Sequence, residues 1–462
     1  MNLSKVNFNY NSLLLINAVF CFFPISFIFG NLITNINFLL FCCLGIFHLK
    51  FSNLIKKFNF PIKIIFLLFV IVLFSTSLSF IESIYFNEYK QSEFSRLIKA
   101  VLFFRFFIIL IIVYLLSELD IINFKLFFIS ASISPLLISA DVIFQYIFGF
   151  NIVGMKSYIH HNTSFFGDEL IAGGYIQNFS FFSIFFLIHL IKKNENIYKI
   201  LLTTLTICTL ATGIILSGNR MPFFLFLFGL FLFFLLHKDS RKTVLISYLF
   251  IFIIFQFIRY TDQNMFKAYN SFFSGVQKSA VGFSKKVKDD LLSNIQGKKE
   301  AKKEEKWEEN LNESPESNPY KKMALTAIET WKLNKFFGNG IKSFRVKCQK
   351  VIIEQKRGLC SNHPHNYYLE ILGDLGIAGI LIVMLIALTF IIFLAKNYKN
   401  LRKNNLQNLF LLAAIISLFL EVFPFKSSGS IFTTNNATYL ILMSSIILSY
   451  QKLLKEKNFG SL

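Results

Sequence analysis

His363-Pro364-His365-Asn366-Tyr367-Tyr368-Leu369-Glu370 is followed by Gly373-Asp374-Leu375-Gly376-Ile377-Ala378-Gly379 and then by an unbroken apolar run. A cluster of titratable, hydrogen-bonding side chains therefore stands at the mouth of a membrane helix. Imidazole exchanges protons near neutral pH, and ionisable groups at a bilayer are costly enough to mark functional positions. The placement points to chemistry on a substrate lying in the membrane.

The rest of the chain has the same character. Of its 462 residues, 54% are hydrophobic and 16% are charged, whereas a soluble domain carries about a quarter charged residues. Apolar runs long enough to span a bilayer, about 17–25 residues, recur along nearly the whole sequence. They fall near 12–29, 32–49, 62–82, 98–117, 126–147, 172–191, 199–216, 221–237, 244–258, 368–395, 406–424 and 436–452. The expected fold is an all-α polytopic membrane protein of about twelve transmembrane helices. The 61 Phe residues are read as compositional bias and given no functional meaning.

A net charge of +21 invites a nucleic-acid reading, but the cations sit in short loops between apolar segments, and no nucleic-acid-binding module is visible. They act instead as topology signals. Placing the N-terminus inside puts Lys50, Lys56 and Lys57, Lys238, Arg241 and Lys242, and Lys396, Lys399, Arg402 and Lys403 all in the cytoplasm. The short segments opposite them, at 30–31, 217–220 and 424–435, are nearly free of Lys and Arg. Both termini are then cytoplasmic. The start of the chain, apolar from about Leu13, lacks a small-residue cleavage pattern and reads as an uncleaved first span.

Three regions follow: a membrane bundle over 1–258, a large external loop over 259–367, and a second membrane segment over 368–462. Within the loop, about 285–322 is a charged insert containing Lys298-Lys299-Glu300-Ala301-Lys302-Lys303-Glu304-Glu305-Lys306, whose alternating charges suit a solvated spacer. Residues 323–336 have helical apolar spacing, suited to a membrane surface. Cys21, Cys42, Cys43 and Cys208 fall in spans; Cys348 and Cys360 lie outside. A disulfide between the latter two would pin the loop presenting His363 and His365, and two free thiols are the alternative.

The pattern His365-Asn366, nine residues, Gly376-x-x-Gly379 resembles the signature of the O-antigen ligase and O-antigen polymerase superfamily. Phe337-Gly338-Asn339-Gly340-Ile341-Lys342-Ser343-Phe344 is similar to the element that precedes the His in that family, and Ser217-Gly218-Asn219-Arg220 to its Arg motif at the outer end of a span. Ser428-Gly429-Ser430-Ile431-Phe432 resembles a late element before the last span. Phe166-Gly167-Asp168-Glu169-Leu170-Ile171-Ala172-Gly173 and Asp141-x-x-x-Gln145-x-x-x-Gly149 look like polymerase members. The resemblance covers about residues 140 to 450.

It implies a GT-C-like membrane glycosyltransferase of the bacterial inner membrane, with its site on the periplasmic side and one large periplasmic loop. Such enzymes move a glycan from undecaprenyl diphosphate, with inversion, and without a metal or other cofactor. The acceptor is lipid A–core sugar for a ligase, or a second lipid-linked glycan for a polymerase; protein O-glycosylation is a third possibility. Ligase is the leading reading. From another class, a polysaccharide flippase or transporter would also have about twelve spans, with charges at mid-bilayer and little need of an external His.

The family role of general base falls on His365, and its diphosphate-binding Arg on Arg220. Arg259 is the candidate second diphosphate ligand, with Arg345 its rival. Asn366 would orient the base or bind sugar. Glu370 and Asp374, one helical turn apart, would orient His365, contact the acceptor or bond neighbouring helices. Asp168 and Glu169 are further supporting candidates. His363 lies outside the core motif. Arg105 and Asp141 stand at comparable depths and would form a structural ion pair. His160, His161, His363 and His365 are all external, yet their spacing resembles no zinc site.

Overall fold

A computed structural model describes residues 10–49, 58–86, 91–158, 161–191, 196–275, 319–355 and 358–453. Most of the charged insert expected at about 285–322 falls within 276–318 and so lies outside them. The described chain is helical: α1 Tyr10–Cys21, α2 Phe23–Ser26, α3 Gly30–His48, α4 Phe60–Tyr85, α5 Gln91–Phe103, α6 Arg105–Glu118, α7 Phe124–Phe148, α8 Ala172–Leu190, α9 Asn196–Leu216, α10 Arg220–Leu236 and α11 Arg241–Thr261. After Asp262, α12 covers 263–275. Then come α13 Pro319–Lys332, α14 Phe344–Gln355, α15 Tyr367–Leu401, α16 Leu406–Glu421 and α17 Thr434–Leu453. Among the described residues, seven helical segments are long and apolar enough to cross a membrane, and α1, α10 and α16 are shorter apolar helices. This is a polytopic helical membrane protein.

Local chemistry sets the helix ends. Asn59, Asn123, Asn366 and Asn405 each cap a helix by accepting N–H bonds from its first turn. Gly149 closes α7 in the left-handed region, at φ 78°, its N–H bonded to Gln145 O. Inside, aromatic rings interlock; Phe20 sits 5.5 Å from Phe41 and 5.1 Å from Phe127. The abundant Phe therefore has a packing role. Gly213 allows close approach of α7 and α9, since a Cβ there would lie 2.7 Å from Ser139 Cβ.

Two expected spans are interrupted. The first breaks between α1 and α2, and the segment at 98–117 is divided at Phe104 into α5 and α6. The segment between α11 and α15, expected as a loop, contains α12, α13 and α14. Helix α15 has 35 residues, or about 52 Å of rise, well beyond the roughly 30 Å of a bilayer core. It breaks at Gly376, where φ is 65° and ψ −161°. Residues 377–401 form the spanning part, and Glu370 and Asp374 belong to the short helix before the break.

Chain direction alternates through the bundle. The turn at 217–219, the connection 149–171, the start of α15 and the connection 422–433 therefore lie at one end. Tyr175 Oη to Pro24 O (2.8 Å), Asn219 Nδ2 to Leu170 O (2.9 Å) and Asn366 Nδ2 to Pro424 O (2.7 Å) tie that end together.

Candidate active site

The break in α15 is filled from outside by the strap Gly338–Ser343. Asn339 N–H donates to Gly373 O (3.0 Å) and Gly340 N–H to Asp374 O (2.9 Å); across the break, Ile377 N–H donates to Lys335 O and Ala378 N–H to Phe336 O, both at 3.0 Å. The fit leaves no space for side chains. A Cβ at Gly376 would lie 2.3 Å from Phe336 O, and one at Gly338 2.4 Å from Asp374 C. Gly338, at φ 72°, is also left-handed. The two glycine motifs recognised in the sequence are thus two halves of one interlock.

Asp374, 1% exposed, is its anchor. Its carboxylate accepts from Lys342 N (2.6 Å), Ser343 N (3.0 Å) and Ser343 Oγ (2.5 Å). Glu370 accepts from Ser430 Oγ (2.5 Å) and Ile431 N (2.8 Å), fastening the connection before α17. Both carboxylates hold backbone. From the opposite side, α4 supplies Ser75 Oγ, which donates to Asp374 O (2.8 Å), and Thr76 Oγ1, which accepts from Ile341 N (3.1 Å).

Above this anchor stand the imidazoles. His363 and His365 are half-buried, with ring centroids 4.2 Å apart. His365 Nε2 lies 3.4 Å from Ser361 Oγ, and the Tyr320 ring meets His365 edge-on at 5.8 Å. His365 is left-handed at φ 56°, a costly backbone for a residue with a Cβ, and it occurs immediately before the cap of α15. Asn366 caps the helix through Oδ1 and donates through Nδ2 to Pro424 O. Its amide thus joins the first turn of α15 to the connection before α17.

Burial, then repulsion by His365 and Arg345, lowers His363 to about 4, and burial lowers His365. Both rings are then neutral at pH 7, the form that accepts a proton. The sign for stability follows: an unfolded imidazole binds its proton near 6.5, while these folded ones resist it. Thermal unfolding of the purified protein is expected at progressively lower temperature as pH falls from 6.5 toward 4, and His363→Gln should flatten that slope.

Cys348 and Cys360 form a disulfide, Cα–Cα 5.6 Å, tying α14 to the residues just before Ser361. Two free thiols, the alternative, are not what the structure contains. Closing a loop of this size is worth about 2–4 kcal/mol. A Cys348→Ser/Cys360→Ser variant is therefore expected to unfold several degrees earlier than the parent, and reductant should lower the parent's transition only.

The predicted cations separate. Arg345, exposed, acts electrostatically on both His363 and Lys342. Lys342 is lowered by burial and by Arg345 and Lys99, against the attraction of Glu370 and Asp374. Arg259 is elsewhere: exposed, stacked on Phe266 at 4.8 Å, it lines an open cavity of about 610 Å³ with Gln256, Tyr260 and Gln263. Arg220, half-buried at the start of α10, acts on the Tyr269 hydroxyl of α12. Its turn is built from the connection before α8: His161 Nδ1 donates to Ser217 O (3.1 Å) and Asn162 Nδ2 to Leu216 O (2.6 Å). Helix α10 touches the connection 422–433 through Phe228, 5.4 Å from Phe423. No hydrogen bond joins Arg220 or Arg259 to His365 among the described residues. Asp168 and Glu169 are exposed on the turn after Phe166, away from any side-chain bond the structure records.

The expected Arg105–Asp141 pair is absent. Asp141 accepts from Ser164 Oγ (2.5 Å) and Ile152 N (3.0 Å), and Arg105 donates to Thr434 Oγ1 (3.1 Å) and stacks on Phe106. Equal depth did not mean facing sides. The sequence reading also missed Arg96, 3% exposed, which donates to Ile341 O (2.8 Å), Asn339 O and Glu93 Oε2 (2.6 Å). Its amphipathic spacing with Glu93 and Ala100 is the signal the sequence carries for it.

A family model described as O-Antigen ligase matches residues 205–384. The matched stretch, less than half of the chain, contains Arg220, Arg259, Arg345, His365 and the Gly376 break, and ends before Ser428. No curated protein matches the chain. Residues 205–384 are thus similar to the O-Antigen ligase family, and the strap, the His motif and the Gly376 break all fall within that stretch.

Proposed function

We propose that this protein transfers a glycan from undecaprenyl diphosphate to an acceptor hydroxyl at the periplasmic face of the bacterial inner membrane, as an O-antigen ligase acting on lipid A–core. His365 is the general base. The acceptor oxygen bonds to the anomeric carbon as the bond from that carbon to the diphosphate oxygen breaks, inverting the centre. The hydroxyl proton moves to His365, and the bonding electrons leave with the diphosphate. That leaving group needs fixed cations, and the multi-donor Arg fork suits it. Arg345, which acts electrostatically on His363, is assigned this role in preference to Arg259. Arg220 is assigned the donor headgroup at the same end of the bundle.

The single observation that carries this reading is the neutral imidazole pair, 4.2 Å between ring centroids, with Arg345 acting on His363, inside the region matching the ligase family. Expression in cells lacking either the ligase or the polymerase tests it. Restored long-chain surface polysaccharide in the ligase-deficient background supports the ligase assignment. Restoration only in the polymerase-deficient one makes the acceptor a second lipid-linked glycan, as the resemblance at 141–173 would have it.

A further inference from the structure

Arg96 is the most completely engaged buried cation among the described residues, and nothing in the proposed chemistry uses it. Its guanidinium bonds outward along one plane: Nε to Ile341 O at 2.8 Å, Nη2 to Asn339 O, and Nη1 to Glu93 Oε2 at 2.6 Å. The two carbonyls flank Gly340, whose missing side chain makes the approach possible. A Cβ there would lie 2.8 Å from Arg96 Nη2 and 2.9 Å from Thr76 Cα. Thr76 and Ser75 take the N–H groups of Ile341 and Gly340 from the other side, both at 3.1 Å.

Arg96 and α4 thus grip the strap's backbone from both sides, just before Lys342 and Arg345. Lys342, left-handed at φ 56°, and Arg345 follow within one helical turn. A Lys at position 96 would keep the charge but lose the planar fork that reaches two carbonyls and a carboxylate together.

We infer that Arg96, buttressed by Glu93, is a positioning residue that sets Lys342 and Arg345 for the diphosphate of the lipid donor. The inference rests on the reading above that these cations face the diphosphate. It makes α5, a segment outside the family match, part of donor recognition. Arg96 touches no substrate.

Full-length protein in nanodiscs, titrated with undecaprenyl diphosphate, tests this. Arg96→Lys is expected to weaken binding about tenfold, the scale of one lost hydrogen bond to a charged group, with the unfolding temperature nearly unchanged. Arg345→Ala should weaken it similarly, and the double variant no further, because both act through one group. Glu93→Gln, which keeps both carbonyl bonds, should give a smaller loss in the same direction, and serves if Arg96→Lys does not fold. Unchanged binding in these variants, or losses that add in the double variant, would overturn the positioning role. Wild-type protein that does not bind the probe would instead remove the functional reading beneath it.

Discussion

His365→Ala is expected to lose glycan transfer by at least about 100-fold, the lower range for a positioned general base. It should keep donor binding and its unfolding temperature. His365 occupies a left-handed backbone position with its ring between Tyr320 and His363, so truncation removes ring contacts but relaxes no buried charge. His365→Asn is the better probe of chemistry, because Asn tolerates left-handed φ and cannot take the proton. Transfer from a lipid-linked donor to an acceptor glycan, measured with both variants at pH 7, decides the point. Retention of most of the rate by His365→Asn would move the base elsewhere. Transport of lipid-linked glycan would survive either change, so the same pair separates a transferase from a flippase.

Asp374→Ala is expected to be the most destabilising single change at the interlock. It deletes the acceptor of three short hydrogen bonds, from Lys342 N, Ser343 N and Ser343 Oγ, at a side chain 1% exposed. Each buried donor left unpaired costs about 1–3 kcal/mol. Losses of several kcal/mol approach the whole stability of an ordinary domain. Gly376→Ala attacks the same junction from the backbone: a left-handed φ of 65° and a Cβ 2.3 Å from Phe336 O leave no place for a methyl group. Both variants are expected to show lower unfolding temperatures in detergent and to expose the strap to protease. Asp374→Asn should be milder, since its amide oxygen still accepts. Normal melting with lost transfer in Asp374→Ala would instead give this carboxylate a direct part in the reaction.

Much of the architecture was legible because the bilayer imposes it. Apolar runs lead to most of the helices, though not to the breaks after Cys21 and at Phe104. The Gly motifs were legible as motifs, but not as partners. Gly338 and Gly376 are complementary only because Asn339 and Gly340 pair with the carbonyls exposed where α15 breaks, a contact no local pattern encodes. Arg96 was hidden for a related reason. Its charge resembles a loop cation, and only the carbonyls of Asn339 and Ile341, far along the chain, reveal what it holds. Arg105 and Asp141 failed differently: depth follows from sequence position, whereas the direction each side chain faces follows from helix packing. Arg259 and Arg345 could not be ranked by spacing because the described parts of the segment between α11 and α15 include helices whose course the sequence does not specify.

The account rests on cations and imidazole meeting the donor's phosphates at one end of the bundle. Photo-crosslinking with a diazirine-bearing undecaprenyl diphosphate, followed by mass spectrometric mapping of the full-length protein, measures this most directly. Labels are expected on the strap at 341–346 and around Arg220, and competed away by unlabelled lipid diphosphate. Specific labelling confined to the opposite end of the bundle, or to the cavity around Arg259 alone, would contradict it.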